Sequence, residues 1–294
     1  MGTDALVESL LAGTSRTFAL AIPLLDLPLA RDVGLAYLLL RAADTLEDET
    51  TWSAATRARM LRRFAKDVES LDPESARGLV EEIAELEPIR DPSCRELVTR
   101  LPDLAASLTH EASHKSLLGH VKRTSLGMAE LIERSERRGR AGLDDLKELR
   151  GYCYVVAGIV GELLTDLFLL AEPKLETVAT ELRANAVLFG EGLQLVNVLK
   201  DRRDDLADGR SFVPTSVEPA ELFALTRQDL VHAAHYVEAL VRGGASQGTV
   251  AFTALPLLLA RETLDRIESD GPGAKLSRER VAQIYAELNA ERRR

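Results

Sequence analysis

Two short acidic stretches carry side chains whose type and spacing could do chemistry. They are Asp44-Thr45-Leu46-Glu47-Asp48 and, far along the chain, Asp201-Arg202-Arg203-Asp204-Asp205. Asp44 and Asp48 are four residues apart, as are Asp201 and Asp205, so on a helix each pair shares one stripe. Neighbouring carboxylates repel unless a cation lies between them. Oxygen donors of this kind suit Mg²⁺, which is held by one or two carboxylates together with phosphate oxygens. Mg²⁺ so held would hold a diphosphate, the arrangement needed to pull diphosphate off an allylic prenyl chain.

Other residues extend the two stretches. Gln194, Asn197, Asp201 and Asp205 step by three, four and four along one face, and Asp204 stands three after Asp201. Acids near a helix C-terminus oppose the macrodipole and need a partner. Arg202 and Arg203 could supply it, so a solvated helix end is the alternative reading. Arg41 precedes Asp44 by three, either as a structural ion pair or as an anion hook for phosphate. The apolar run Leu35–Leu40, which includes Tyr37, predicts a buried helix. Ala157, Gly158 and Gly161 either let helices approach closely or keep space for a ligand. His110-Glu111-Ala112-Ser113-His114 satisfies the HExxH pattern of zinc proteases. His120 stands where an extended motif has its third His, but Leu117 replaces the Gly that would turn the chain. The expectation there is a solvated helical face without zinc. Aromatic residues make up 4% of the chain, leaving Phe18, Tyr37, Tyr152, Phe189 and Phe252 as the π faces able to stabilise a cation.

The elements that must position these residues are helices. Leu, Ala, Arg and Glu dominate and alternating β-branched runs are scarce. Helices are predicted over 29–48, 52–71, 74–86, 102–137, 143–170, 178–206, 219–225, 228–242, 247–269 and 277–289, with Pro and Gly punctuating the joins. The reading is one all-α domain over residues 1–294. An apolar fraction of 46% is ample for a core, and a formal net charge of −10 argues against nucleic acid as a partner. Cys94 and Cys153 form no CxxC, which points to a reducing compartment. The N-terminus starts polar and acidic, without a signal peptide. No apolar run approaches the roughly 18–20 residues that span a bilayer. The expected location is the cytoplasm, with peripheral membrane contact for release of an apolar product.

Taken together, these segments resemble the squalene/phytoene synthase family over most of the chain and in the family's order. Ser15-Arg16-Thr17-Phe18 is similar to its N-terminal Ser-Arg-x-Phe. Arg41 to Asp48 resembles the first aspartate-rich motif in its squalene synthase wording. Tyr152 to Gly161 resembles Tyr-Cys-x-x-Val-Ala-Gly-x-Val-Gly. Asn197 to Asp205, with Gly209-Arg210 and Pro214, resembles the second aspartate-rich motif and its Gly-Arg-x-Phe-x-Pro tail. The resemblance implies an isoprenoid synthase helical bundle with a central cavity and head-to-head joining of two farnesyl diphosphates to presqualene diphosphate and squalene. It implies that Asp44, Asp48, Asp201 and Asp205 bind Mg²⁺, that Arg16, Arg41 and Arg210 contact diphosphate, and that Tyr152 assists proton transfer. Gln194 and Asn197 match polar cavity positions, Ser15 belongs to the N-terminal motif, and Phe252 and Pro256 fit the late cavity helix. Lys200 stands where Arg is usual, and Asp204 where Glu is common. The cofactors implied are Mg²⁺ and, for a reductive second step, NADPH. Related outcomes are hydroxysqualene, dehydrosqualene or phytoene, a terpene cyclase, and, outside enzymes, an inactive assembly factor. As the chain ends soon after Ile284, the expectation is that it lacks the membrane anchor of eukaryotic squalene synthases.

Overall fold

The computed structural model describes residues 3–15, 17–69, 72–109, 111–139, 142–207 and 211–292, which are helical with no strand among them. The chain forms two compact units, the first of residues 1–23 and 27–138, the second of residues 24–26 and 139–294.

In the first unit, α1 (Thr3–Thr14) and the short α2 (Phe18–Ala21) precede α3 (Leu29–Asp48), whose bounds are those expected from the sequence. α3 is buried on most of its circumference, with Val33, Leu35, Leu38, Leu39, Ala42, Ala43 and Leu46 in the core. It crosses α1 where Gly34 has no side chain; a Cβ there would lie 2.8 Å from Val7 Cγ1. α4 (Ala54–Val68) starts at Ser53, whose hydroxyl accepts from Thr56 N at 3.1 Å. α5 (Pro73–Ala84) starts at Asp72, which accepts from Glu74 N and Ser75 N ahead of Pro73. The cap and the N1 proline explain why one helix ends and the next begins at this point. α6 (Pro92–Thr99) repeats the device with Asp91 and Pro92. It was not expected from the sequence.

The helix expected over 102–137 is instead α7 (Leu101–Ala105) and α8 (Ala112–Arg138). Between them the chain turns, and Thr109 N donates to His114 Nδ1 at 2.8 Å rather than to a helical carbonyl. α8 buries Leu117, Val121, Ser125, Met128 and Ile132 along one stripe against α3 and α4.

In the second unit, Asp145 caps α9 (Leu146–Cys153), accepting from Glu148 N at 2.9 Å. A π-helical turn, Tyr154–Gly158, joins α9 to α10 (Ile159–Ala171). By length and composition the stretch Leu146–Ala171 could cross a membrane, with a mean hydropathy of 1.9 over its most apolar window. This corrects the sequence expectation that no apolar run approaches the length that spans a bilayer. That window is 44% buried, and α10 packs on α11. A 3₁₀ turn, Pro173–Val178, leads to α11 (Ala179–Ala207), the central helix of this unit.

α12 (Pro219–Arg242) is continuous where two helices were expected. Thr226, at the expected break, is buried and back-bonds its hydroxyl to Leu222 O at 2.7 Å, so nothing there ends the helix. α13 (Gln247–Asp270) is capped by Ser246 and stops at Gly271, whose φ of 90° is left-handed. α14 (Arg278–Arg292) packs on α13. The turn between them returns to α11, with Gly273 N donating to Lys200 O at 2.8 Å.

Candidate active site

In the first unit the structure draws the N-terminal motif onto the first acidic helix. The chain leaves α1 at Ser15, whose hydroxyl accepts from Phe18 N at 2.9 Å. Phe18 then meets Tyr37 of α3 at 5.2 Å between ring centroids, with planes inclined by 38°. Tyr37 donates its hydroxyl to Thr14 O at 3.1 Å. Burial raises the Tyr37 pKa, against the lowering effects of Ser15 and Arg41. One turn further on, Arg41 lies 3.9 Å from Asp44 and donates through Nη2 to Cys94 Sγ of α6 at 3.5 Å. Its Nε is buried without an acceptor. Burial works against the Arg41 charge, but Cys94, Asp44 and Tyr37 more than offset it.

Asp44 has many protein atoms around it, and its side chain remains 40% accessible. Desolvation pushes its pKa up to about 7; Arg41 lowers it and Asp48 raises it further. Asp48, one turn on, is exposed. Two neighbours hold the end of α3 in place. Arg57 of α4 donates to Glu47 O at 2.6 Å. Buried Glu49 accepts from Arg90 N at 2.8 Å and from Thr51 Oγ1 at 2.8 Å.

In the second unit, α11 lines up Gln194, Asn197, Lys200, Asp201 and Asp205. Lys200 donates to Asn197 Oδ1 at 2.9 Å and lies 3.3 Å from Asp201, while Asn197 donates to Gln194 Oε1 at 3.5 Å. The acidic end therefore has Lys200, at the position where the resemblance leads one to expect Arg, as a near cation. Tyr152 of α9 stacks on Phe212 at 4.6 Å and 25°, so the tyrosine motif touches the tail of the second acidic motif. Leu143 N donating to Ser211 O at 3.2 Å joins the same two segments.

The small residues next to Tyr152 serve close packing. A Cβ on Gly161 would lie 1.9 Å from Ala186 O, and one on Gly190 would lie 2.0 Å from Ala157 O. α10 and the π turn thus meet α11 backbone to backbone. Phe252 is 1% exposed and edge-on to Phe168, and Phe189 lies 5.1 Å from Tyr236, so these rings belong to the core of the unit. Arg16, Arg210 and His110 lie outside the described residues.

The HExxH segment departs from its expectation. Glu111 precedes α8, so the pattern does not share one helix, and His114 is 3% exposed rather than solvated. It bridges the turn to α3, with Nε2 3.2 Å from Asp32 Oδ1. His120 is also buried, its Nδ1 2.9 Å from Ser116 O. Both imidazoles are used in packing and hydrogen bonding.

Among the described residues no three acidic, His or Cys side chains converge on one point. Each aspartate pair offers hard oxygen donors from two side chains, leaving the other ligands to phosphate and water. That fits Mg²⁺ better than a closed all-protein site. The deprotonation penalty at Asp44 and the orphaned Nε of Arg41 fit a site completed by a cation and an anion.

Sequence reasoning missed Cys94 beside Arg41. It also missed a charge cluster in which Arg150 donates to Glu191 at 2.6 Å and forks onto Asp229. A single acid between Gly190 and Gly192 in an apolar helix was the available signal for Glu191.

A model of the squalene/phytoene synthase family matches residues 11–242. The squalene synthase of Eremothecium gossypii is 33% identical over 216 residues, covering 71% of this chain and 45% of that protein. Squalene synthase ERG9 of Candida albicans is 32% identical over 211 residues, covering 69% and 44%. The chain spans less than half the length of these curated relatives. The structure of TcSQS in complex with the ligand BPH1237 superposes with a TM-score of 0.79 at 23% identity, covering 97% of this chain and 86% of that one.

Proposed function

This chain belongs to the squalene/phytoene synthase family, and from that premise we propose that it joins two farnesyl diphosphates head to head, giving presqualene diphosphate and then squalene. The observation that carries the reading is Asp44: a carboxylate whose pKa desolvation raises, with Asp48 one turn on and Arg41 beside it. Asp44, Asp48, Asp201 and Asp205 would hold Mg²⁺, which when bound neutralises the leaving diphosphate. Arg41, Lys200, Arg16 and Arg210 bind and orient the diphosphate groups. Ser15 fixes the turn that brings Phe18 to Tyr37, and the two rings offer π faces to the allylic cation. The cation is attacked by the double bond of the second farnesyl chain. Loss of one proton closes the cyclopropane, so each turnover of this step releases one diphosphate and one proton. Tyr152 handles that proton, and Gln194 and Asn197 hold polar groups nearby. Phe252 supports the apolar wall from the core. Squalene would then require departure of the remaining diphosphate, and NADPH, when bound, would supply the hydride. Residues 1–294 act as one catalytic domain. The protein works in the cytoplasm, with peripheral membrane contact through which the apolar product leaves.

The test is incubation with C15 and C20 allylic diphosphates, with and without NADPH, and identification of products. Expected are diphosphate release from the C15 substrate, the cyclopropyl diphosphate without NADPH and squalene with it. No diphosphate release from either substrate overturns the reading.

A further inference from the structure

Arg150, Glu191 and Asp229 form a charge cluster for which the chemistry above has no use. Arg150 of α9 donates through Nη1 and Nη2 to the two oxygens of Asp229 on α12, and through Nη1 to Glu191 on α11 at 2.6 Å. The side chains of Asp229 and Glu191 are only 2% and 8% exposed. The backbones make room for this arrangement. A Cβ on Gly192 would lie 3.0 Å from Asp229 Cβ, so α12 approaches α11 closely beside the cluster. A Cβ on Gly158 would lie 3.6 Å from Glu191 Cγ, which places the π turn against the same acid.

Two buried carboxylates on one guanidinium are a poor means of gaining stability, since apolar side chains of similar volume often do as well or better. What the fork supplies is direction: a planar guanidinium on a carboxylate fixes both the distance and the angle between the elements that carry them. α9 is eight residues long and runs into a π turn, so its own length does little to fix its register. Tyr152 follows Arg150 by two residues. Glu191 is on the helix that carries Gln194, Asn197, Asp201 and Asp205.

We propose that Arg150 is a positioning residue, which through Asp229 and Glu191 locks the helix bearing Tyr152 onto the helix bearing the second aspartate pair. The proposal rests on the reading of Tyr152 as the proton-handling group.

The test uses Arg150→Lys, Tyr152→Phe and the double variant. Lysine keeps the charge and cannot fork. Single-turnover formation of the cyclopropyl diphosphate, KM for farnesyl diphosphate and hydrogen–deuterium exchange of residues 146–158 are measured. Arg150→Lys should slow the single turnover about tenfold or more, the scale of a small misplacement of a reacting group. It should leave KM within about twofold, because ground-state binding is not its task. Exchange across 146–158 should rise. The double variant should be no slower than the slower single variant, because the two changes act on one event. Multiplicative losses in the double variant, or unchanged exchange across 146–158, overturn the proposal. Should the wild-type protein release no diphosphate, the functional reading falls. The exchange measurement still decides whether Arg150 locks α9: faster exchange supports the lock and unchanged exchange overturns it. Glu191→Gln preserves shape and weakens one arm, and serves where Arg150→Lys does not fold. It should raise exchange in the same peptide, and no rise there overturns the proposal.

Discussion

Asp44 is caught between desolvation and a like-charged neighbour, with Arg41 as partial relief, and its pKa is accordingly raised from 3.8 to about 7. The sign of its effect on stability follows. Its contribution is fully present below about pH 4, is lost as pH rises towards 7, and leaves a constant penalty above that. A side chain 40% accessible is partly screened, so the penalty is modest. Asp44→Asn should therefore raise the melting temperature in EDTA at pH 8 by about 2 °C or more, the gain vanishing near pH 3.5. An equal gain at both pH values would contradict this account. The same carboxylates are proposed to hold the metal, so stability and activity should part company here. Asp48→Asn and Asp205→Asn should each lower turnover at least about 100-fold while the far-ultraviolet dichroism stays unchanged. Near-wild-type rates for both in saturating Mg²⁺ would remove the carboxylate pairs from the mechanism.

At the scale of elements, two joins decide how the unit cores close. His114 ties the turn between α7 and α8 to α3 by accepting from Thr109 N and facing Asp32. His114→Ala leaves that N–H and that carboxylate without the imidazole, at a cost of about 1–3 kcal/mol seen as a lower denaturation midpoint. The purified protein should carry no stoichiometric zinc, and zinc lost on that substitution would reinstate a metal site. α10 and α11 meet where glycine is required. Gly161→Ala should destabilise by about 3 kcal/mol or fail to fold, because the new Cβ would meet Ala186 O at 1.9 Å and a backbone atom cannot step aside. Gly151→Ala is the control. Nothing lies within 4 Å of a Cβ there, and the helix should gain up to about 1 kcal/mol. Equal stability of the two variants would show that the helices separate freely.

At the scale of the whole molecule, a net charge of −10 does not bar an anionic substrate, because bound metal ions reverse the local sign. EDTA should abolish diphosphate release, and added Mg²⁺ but not Zn²⁺ should restore it, since hard oxygen donors with phosphate suit Mg²⁺. Full activity in EDTA would show that arginine and lysine side chains suffice.

The sequence by itself determined the helical class, the bounds of α3 and the stripe along α11, because side chains repeating every three or four residues set which face a helix buries. It also determined the family, which rests on motifs of residue type and spacing. Tertiary structure decided what no local pattern contains. Gly158 and Gly161 read equally well as ligand space or as tight packing until Ala186 O stood against one of them. HExxH read as a solvated face until Asp32, far away in sequence, took up His114. Nothing near Arg150 in sequence announces Asp229, which is buried 79 residues away. Likewise the acidity of Asp44 depends on how much protein encloses it, and enclosure is a property of the packed chain.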